Sequence, residues 1–236
     1  MRILITNDDG IEASGLLPLV KWAQKLGEVT VVAPKLEQSG KSQSINIRTP
    51  FECKAVELLP GVEAWSVDSA PADCLRFAVL CLKKEFDLVI SGINKGMNIG
   101  SDILYSGTVG AVFEAHRMGI KGLALSVHPS GYENCTEHMD EVWEFVCKHE
   151  LLHKGGPYNI NIPKNVVGIR ITRQGGPYYS DDFIPQGDGT YKAKGKPIYT
   201  LTGDLSVDID AAMSGYITVT PVTLDRTDYA AFERLT

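Results

Sequence analysis

The chain reads as an α/β protein: a Rossmann-like three-layer sandwich with a mostly parallel sheet, plus a β-rich C-terminal extension. Three observations point there. Short β-type apolar runs alternate with helical stripes along the first two-thirds of the chain, the pattern of βαβ units with right-handed crossovers. The runs lack strict polar alternation, as do strands buried on both faces. The last third changes character: Gly175-Gly176-Pro177, Pro185, Gly187, Gly189, Gly195 and Pro197 interrupt its β-type pieces.

Arg2–Thr6 is the first strand. Helix Leu16–Leu26 follows, with Leu16, Leu19, Val20, Ala23 and Leu26 on one stripe. Pro18 falls in its first turn, where a missing N–H costs little, and Gly27 ends it. Strand Glu28–Ala33 comes next. Helix Ala72–Lys83 places Leu75, Ala78, Val79 and Leu82 on one side. Strand Asp87–Ile90, helix Gly107–Met118, strand Leu123–Val127, helix Glu137–His149 and strand Tyr158–Ile162 complete the alternation. In the last third Gly168–Arg173 and Tyr191–Ala193 are β-type, and helix Asp208–Met213 with strand Tyr216–Thr220 returns to the body. The expected division is a catalytic core over 1–165 and a β-rich extension over 166–236.

Composition narrows the function. An apolar fraction of 44% and a charged fraction of 22% are ordinary for a globular protein. The 29 acidic residues against 23 basic ones leave a net charge of −6, which argues against nucleic-acid duplexes and anionic membranes as partners. It does not argue against a small phosphorylated substrate beside a metal ion, which reverses the local sign. No apolar run reaches the ~20 residues of a membrane span, and the first residues already read as a strand rather than a leader. Five cysteines without a C-x-x-C pair suit reduced thiols and a cytoplasmic setting.

Four segments carry the chemistry. Asn7-Asp8-Asp9-Gly10, Gln38-Ser39-Gly40-Lys41-Ser42 and Ser91-Gly92-Ile93-Asn94 each follow a predicted strand. In open α/β sheets the ligand crevice lies outside the carboxyl ends of the strands. Two carboxylates, a hydroxyl and an amide therefore converge as hard oxygen donors, which suit Mg²⁺ or Mn²⁺. Asp8 and Asp9 are neighbours, which point apart in a regular strand; both reach one ion only if the strand has ended, and Gly10 permits the turn. The plainer alternative has one Asp capping a helix and the other solvated. Asn7 stands beside them. Ser39 reads as a ligand, with Gly40 and Ser42 near phosphate.

The fourth segment, Tyr105-Ser106-Gly107-Thr108, closes a glycine-rich run from Ser91 to Gly110. The run matches neither G-x-x-x-x-G-K-[ST] nor G-x-G-x-x-G. Ser106, Gly107 and Thr108 open a helix, where free N–H groups hold anions, and Asn98 is a further candidate donor to phosphate. Asn94 offers a carbonyl oxygen. His149 and His153, at the end of a predicted helix, read as solvated cations near its dipole. Tyr178-Tyr179 suits packing at least as well as base stacking.

These motifs resemble the SurE, or stationary-phase survival protein, family. The resemblance lies in R-I-L-I-T-N-D-D-G at the N-terminus, Q-S-G-K-S-Q-S-I and the run D-L-V-I-S-G-I-N-K-G-M-N-I-G-S-D-I-L-Y-S-G-T-V-G-A. Y-N-I-N-I-P (Tyr158–Pro163) extends it, so that it spans almost the whole chain. The pattern departs at Glu37-Gln38, Ser69-Ala70 and Val207-Asp208. The resemblance implies a metal-dependent 5′-nucleotidase acting on nucleoside monophosphates. It implies one divalent ion per subunit on Asp8, Asp9, Ser39 and Asn94, and a C-terminal arm exchanged within a homodimer or homotetramer. Asp8, Asp9 and Asn94 are then the catalytic set. The competing reading is a non-catalytic nucleotide-binding or receiver-like signalling module. A receiver-like domain needs a phosphoacceptor Asp after a central strand, where this chain has Asn94.

Overall fold

The computed structural model describes residues 1–236. One nine-stranded sheet forms its centre. Its strands are β1 (Arg2–Thr6), β2 (Glu28–Pro34), β3 (Cys53–Val56), β4 (Glu63–Val67), β5 (Leu88–Lys95), β6 (Lys121–Val127), β7 (Tyr158–Ile162), β8 (Gly168–Ile171) and, later in the chain, Tyr216–Pro221. Four short strands intervene: β9 (Tyr179–Ser180), β10 (Phe183–Pro185), β11 (Tyr191–Ala193) and β12 (Lys196–Pro197), which makes Tyr216–Pro221 β13. The sheet order is β3-β4-β2-β1-β5-β6-β7-β13-β8. It is parallel from β4 to β7, with antiparallel pairings of β3 on β4 and of β13 on β7.

Helices α1 (Leu16–Ala23), α2 (Pro71–Arg76), α3 (Gly107–Arg117), α4 (Met139–Lys148), α5 (Asp208–Met213) and α6 (Tyr229–Leu235) complete the chain. Alternation along β1 explains the layers: Ile3 and Ile5 join the core beneath α1 and α4, whereas Leu4 joins the one beneath α2. Trp22 of α1 and Trp143 of α4 meet edge to face at 6.2 Å. No helix is long and apolar enough to cross a membrane.

The expected elements differ from the observed ones in instructive places. β3 and β4 are unforeseen, because β3 is a half-exposed edge strand and carries Lys54 rather than a continuous apolar run. The stretch expected as one helix over Ala72–Lys83 is α2 followed by a π-type turn at Phe77–Cys81. β5 runs past Ile90 to Lys95, with a bulge between Ser91 and Asn94. There a Cβ on Gly92 would lie 2.4 Å from the Leu125 carbonyl oxygen, so glycine lets β6 come close. The main sheet draws β8 and β13 from beyond residue 165, and only the pairs β10–β11 and β12–β9 stand apart from it.

After β1 the chain builds β2 on one side, then returns to place β5 on the other. The strand order thus reverses at β1, where a crevice opens at the carboxyl ends.

Candidate active site

The turn after β1 comes from Asn7. Its Nδ2 donates to the Gly10 carbonyl at 2.8 Å, and its Oδ1 accepts from the Gly10 N–H at 3.1 Å. This closed turn takes Asp8 and Asp9 out of strand alternation, and both line one cleft. The loop after β2 adds Glu37, Ser39 and Gly40; the end of β5 adds Asn94 and Lys95. The following loop adds Asn98, Asp102, Tyr105 and Ser106. The cleft holds about 350 Å³, within the range of small-ligand sites. Hollows of similar volume elsewhere, such as that between Arg2 and Phe86, carry no comparable convergence.

Asp8 docks on the start of α3. Thr108 Oγ1 donates to Asp8 Oδ1 at 2.6 Å, and the Gly107 and Thr108 amides at the helix start pull the pKa of this carboxylate down. A Cβ on Gly107 would lie 2.9 Å from Asp8 Cβ, so the approach requires glycine. Burial pushes the Asp8 carboxyl above its ordinary range, against the pull of Thr108 and these amides. Asp9 is pushed up to about 6, first by burial and then by the charge of Asp8. Its Oδ2 accepts from the Lys95 N–H at 3.2 Å.

The other two expected ligands are oriented by neighbours. Asn94 Nδ2 donates to the Gly96 carbonyl at 2.7 Å, which leaves Oδ1 free as an oxygen donor. Ser39 donates its hydroxyl hydrogen to Glu37 Oε1 at 2.7 Å, which leaves the lone pairs on Oγ. The cleft thus offers oxygen donors with no Cys or His, and four carboxylates face the single cation Lys95. These residues fit a hard divalent cation. Its charge would relieve the repulsion that raises Asp9.

The expected phosphate-binding residues divide. Gly40, Asn98 and Ser106 line the cleft; Asn7, Ser42, Gly107 and Thr108 lie outside its lining. Ser42 donates its hydroxyl to the Leu104 carbonyl at 2.7 Å and its N–H to the Tyr105 carbonyl at 3.0 Å, stapling two loops together. Ser106 Oγ accepts from the Val109 N–H at 3.1 Å and so caps α3. The Thr108 hydroxyl gives its hydrogen to Asp8, because Gly107 lets the carboxylate reach the helix start.

Among the histidines, His149 packs on Phe145 at 4.2 Å and His153 is exposed; neither joins the cleft. Tyr178 and Tyr179 stack edge to face on each other at 4.7 Å, and both their N–H groups donate to Asp102. Sequence reasoning missed Glu37, Lys95, Asp102 and Tyr105 as cleft residues. The last three lie inside the glycine-rich run already singled out, but a lone Lys or Asp there follows no spacing rule.

A family model described as survival protein SurE matches residues 3–181. The chain belongs to the SurE family. The 5′-nucleotidase SurE of Caldanaerobacter subterraneus subsp. tengcongensis is 36% identical over 249 residues, covering 99% of this chain and 95% of that protein. The 5′-nucleotidase SurE of Clostridium beijerinckii is 37% identical over 252 residues, covering 100% of this chain and 98% of that one. The crystal structure of the SurE protein from Aquifex aeolicus matches with a TM-score of 0.76 at 29% identity, over 100% of this chain and 98% of that chain. The SurE fold thus extends over the entire chain, C-terminal extension included.

Proposed function

We propose that this cleft hydrolyses nucleoside 5′-monophosphates to nucleoside and phosphate, with one Mg²⁺ or Mn²⁺ held by Asp8, Asp9, Ser39 and Asn94. The observation that carries the reading is the convergence of an adjacent carboxylate pair and two neutral oxygen donors at the strand-order reversal. Full-length relatives named 5′-nucleotidase supply the reaction class. When bound, the ion polarises a phosphoryl oxygen and makes water a better nucleophile.

The chain's own residues do the rest. The Thr108 hydroxyl holds Asp8 in one orientation, so little reorganisation is needed as charge develops. Asp9 is fixed by the Lys95 N–H, and Asn94 by the Gly96 carbonyl. Lys95 is the lining's one positive side chain, and its Nζ lies 5.7 Å from the centroid of the Tyr132 ring. Gly40, Asn98 and Ser106 border the same space. Tyr105, 62% exposed at the rim, offers a ring face on which a base can stack.

Phosphate release from AMP, GMP and p-nitrophenyl phosphate, with EDTA, Mg²⁺ or Mn²⁺, tests the reading. Metal-dependent release from the nucleotides is expected; none from any of the three substrates overturns it. Nothing favours a receiver-like module, since Asn94 stands where a phosphoacceptor Asp is needed.

The same reading makes the molecule a cytoplasmic homodimer or homotetramer joined through residues 166–236. Five free thiols support the compartment. Phe183 and Tyr191, each 65% exposed on the β10–β11 pair, support the association.

A further inference from the structure

The motif Tyr158-Asn159-Ile160-Asn161-Ile162-Pro163 has so far no part in the site. It forms β7, a central strand in which Asn159 and Asn161 are wholly buried. Such a strand favours β-branched apolar residues. Two residues apart, the asparagines point to one face, and both reach Asn98. Asn159 Nδ2 and Asn161 Nδ2 donate to the Asn98 carbonyl at 2.7 and 2.9 Å. Asn161 Oδ1 accepts from the Asn98 N–H at 2.7 Å. The Asn98 side chain donates in turn to Ser126 Oγ at 2.9 Å.

Two residues along, Asp208 of α5 accepts from the Gly100 N–H at 2.9 Å. The loop from Asn94 to Ser106 is therefore gripped by its backbone from β7 and α5, while Asn94, Lys95, Asp102, Tyr105 and Ser106 line the cleft and Ile99 and Ile103 pack into the core. Asn159 Oδ1 has no partner within the chain.

We propose that Asn159 and Asn161 are positioning residues of the hydrolysis. They clamp the Asn98 peptide, and with it the loop joining Asn94 to Ser106, in the shape that the reaction uses. Neither touches the substrate. The inference rests on the nucleotidase reading above and adds to it two residues remote in sequence from the site.

The test compares Asn159→Ser and Asn161→Ser with Thr30→Val. The last removes the 3.3 Å hydrogen bond from Lys84 to Thr30 Oγ1 in β2 of the same sheet, toward the amino ends of its strands and away from the loop. Loss of a residue that orients a ligand typically costs 10–100-fold. The serine variants should lose about that factor in kcat for AMP, with KM within about threefold. The control should keep kcat within about twofold. In metal-free protein, amide exchange across Asn98–Tyr105 should quicken at least tenfold in the serine variants and not in the control, because the clamp holds that backbone. Two variants are used so that one failing to fold leaves the other informative. Unchanged loop exchange in the folded variants overturns the proposal, as does a kcat loss no larger than the control's. Exchange reports the clamp even in a chain that hydrolyses nothing, so failure of the clamp and failure of the nucleotidase reading are distinguishable.

Discussion

Replacing Asp9 by Asn separates two consequences of this carboxylate. In the metal-free chain Asp9 stands partly buried beside Asp8 and titrates at about 6 instead of 3.8. An anion displaced that far is destabilised in the fold by about 3 kcal/mol at neutral pH, at about 1.4 kcal/mol per pH unit. Its partial contact with solvent reduces this to roughly 1–2 kcal/mol. A carboxyl raised in the fold keeps its proton there after the unfolded chain has lost it. Stability therefore falls as pH rises from about 4 to about 6 and is level above. Asn has the same size and does not ionise, so Asp9→Asn removes this slope. At pH 7.5 in EDTA the variant should melt roughly 2–8 °C above the parent, at about 2–4 °C per kcal/mol for a chain of this length. Mn²⁺ should reverse the order. At one hundred times its dissociation constant the ion stabilises the parent by about 2.7 kcal/mol; the variant, one anionic ligand short, gains little. Turnover of AMP should follow the ion and be largely lost. Scanning calorimetry in EDTA and in Mn²⁺ from pH 4 to 8, beside a phosphate-release assay, reads all three effects. A variant that melts below the parent in EDTA at pH 7.5 refutes the electrostatic argument. One that gains as much as the parent from Mn²⁺ refutes the ligand.

Further expectations follow from the same geometry. EDTA should abolish turnover and Mg²⁺ or Mn²⁺ restore it; restoration by Zn²⁺ alone would contradict a site of oxygen donors. Thr108→Val removes the 2.6 Å donor to Asp8, a hydrogen bond to a charged group of about 1.5–3 kcal/mol. It should cost roughly tenfold or more in kcat/KM. The loss should fall on kcat, because the hydroxyl faces the Asp8 carboxylate proposed as catalytic rather than the nucleotide; a kcat/KM within about twofold of the parent would refute it. Phe183→Ser combined with Tyr191→Ser should shift the molecule toward monomer in light scattering, and an unchanged mass would count against residues 166–236 as the assembly arm.

Much of the site was legible because its residues cluster at strand ends. Asp8, Asp9, Ser39 and Asn94 lie directly after or near the ends of apolar runs, and the parallel α/β rule brings such ends to one edge. All four line the cleft. The residues expected to bind phosphate divide, and only some line the cleft. Ser106 and Thr108 were recognisable as a helix start, but which acceptor they serve depends on what approaches that start. Asp8 does, across 100 residues of chain, because Gly107 leaves room.

The sequence by itself determined the α/β class, the order of the main elements and the family, through apolar periodicity, glycine placement and unbroken motifs. These are local properties, written in residues close along the chain. Only the tertiary structure decided that Asn7 shapes the turn and that Glu37, Lys95 and Asp102 share the cleft. It alone showed that Asn159, Asn161 and Asp208 hold the loop after β5. The Asn7 turn is local, but the rest depends on groups far apart in the chain, such as Asn98 with Asn161, Lys95 with Asp9 and Gly100 with Asp208, 63 to 108 positions apart, meeting at one sheet edge. No periodicity records such a meeting; it follows from strand order and register, which the assembled sheet sets.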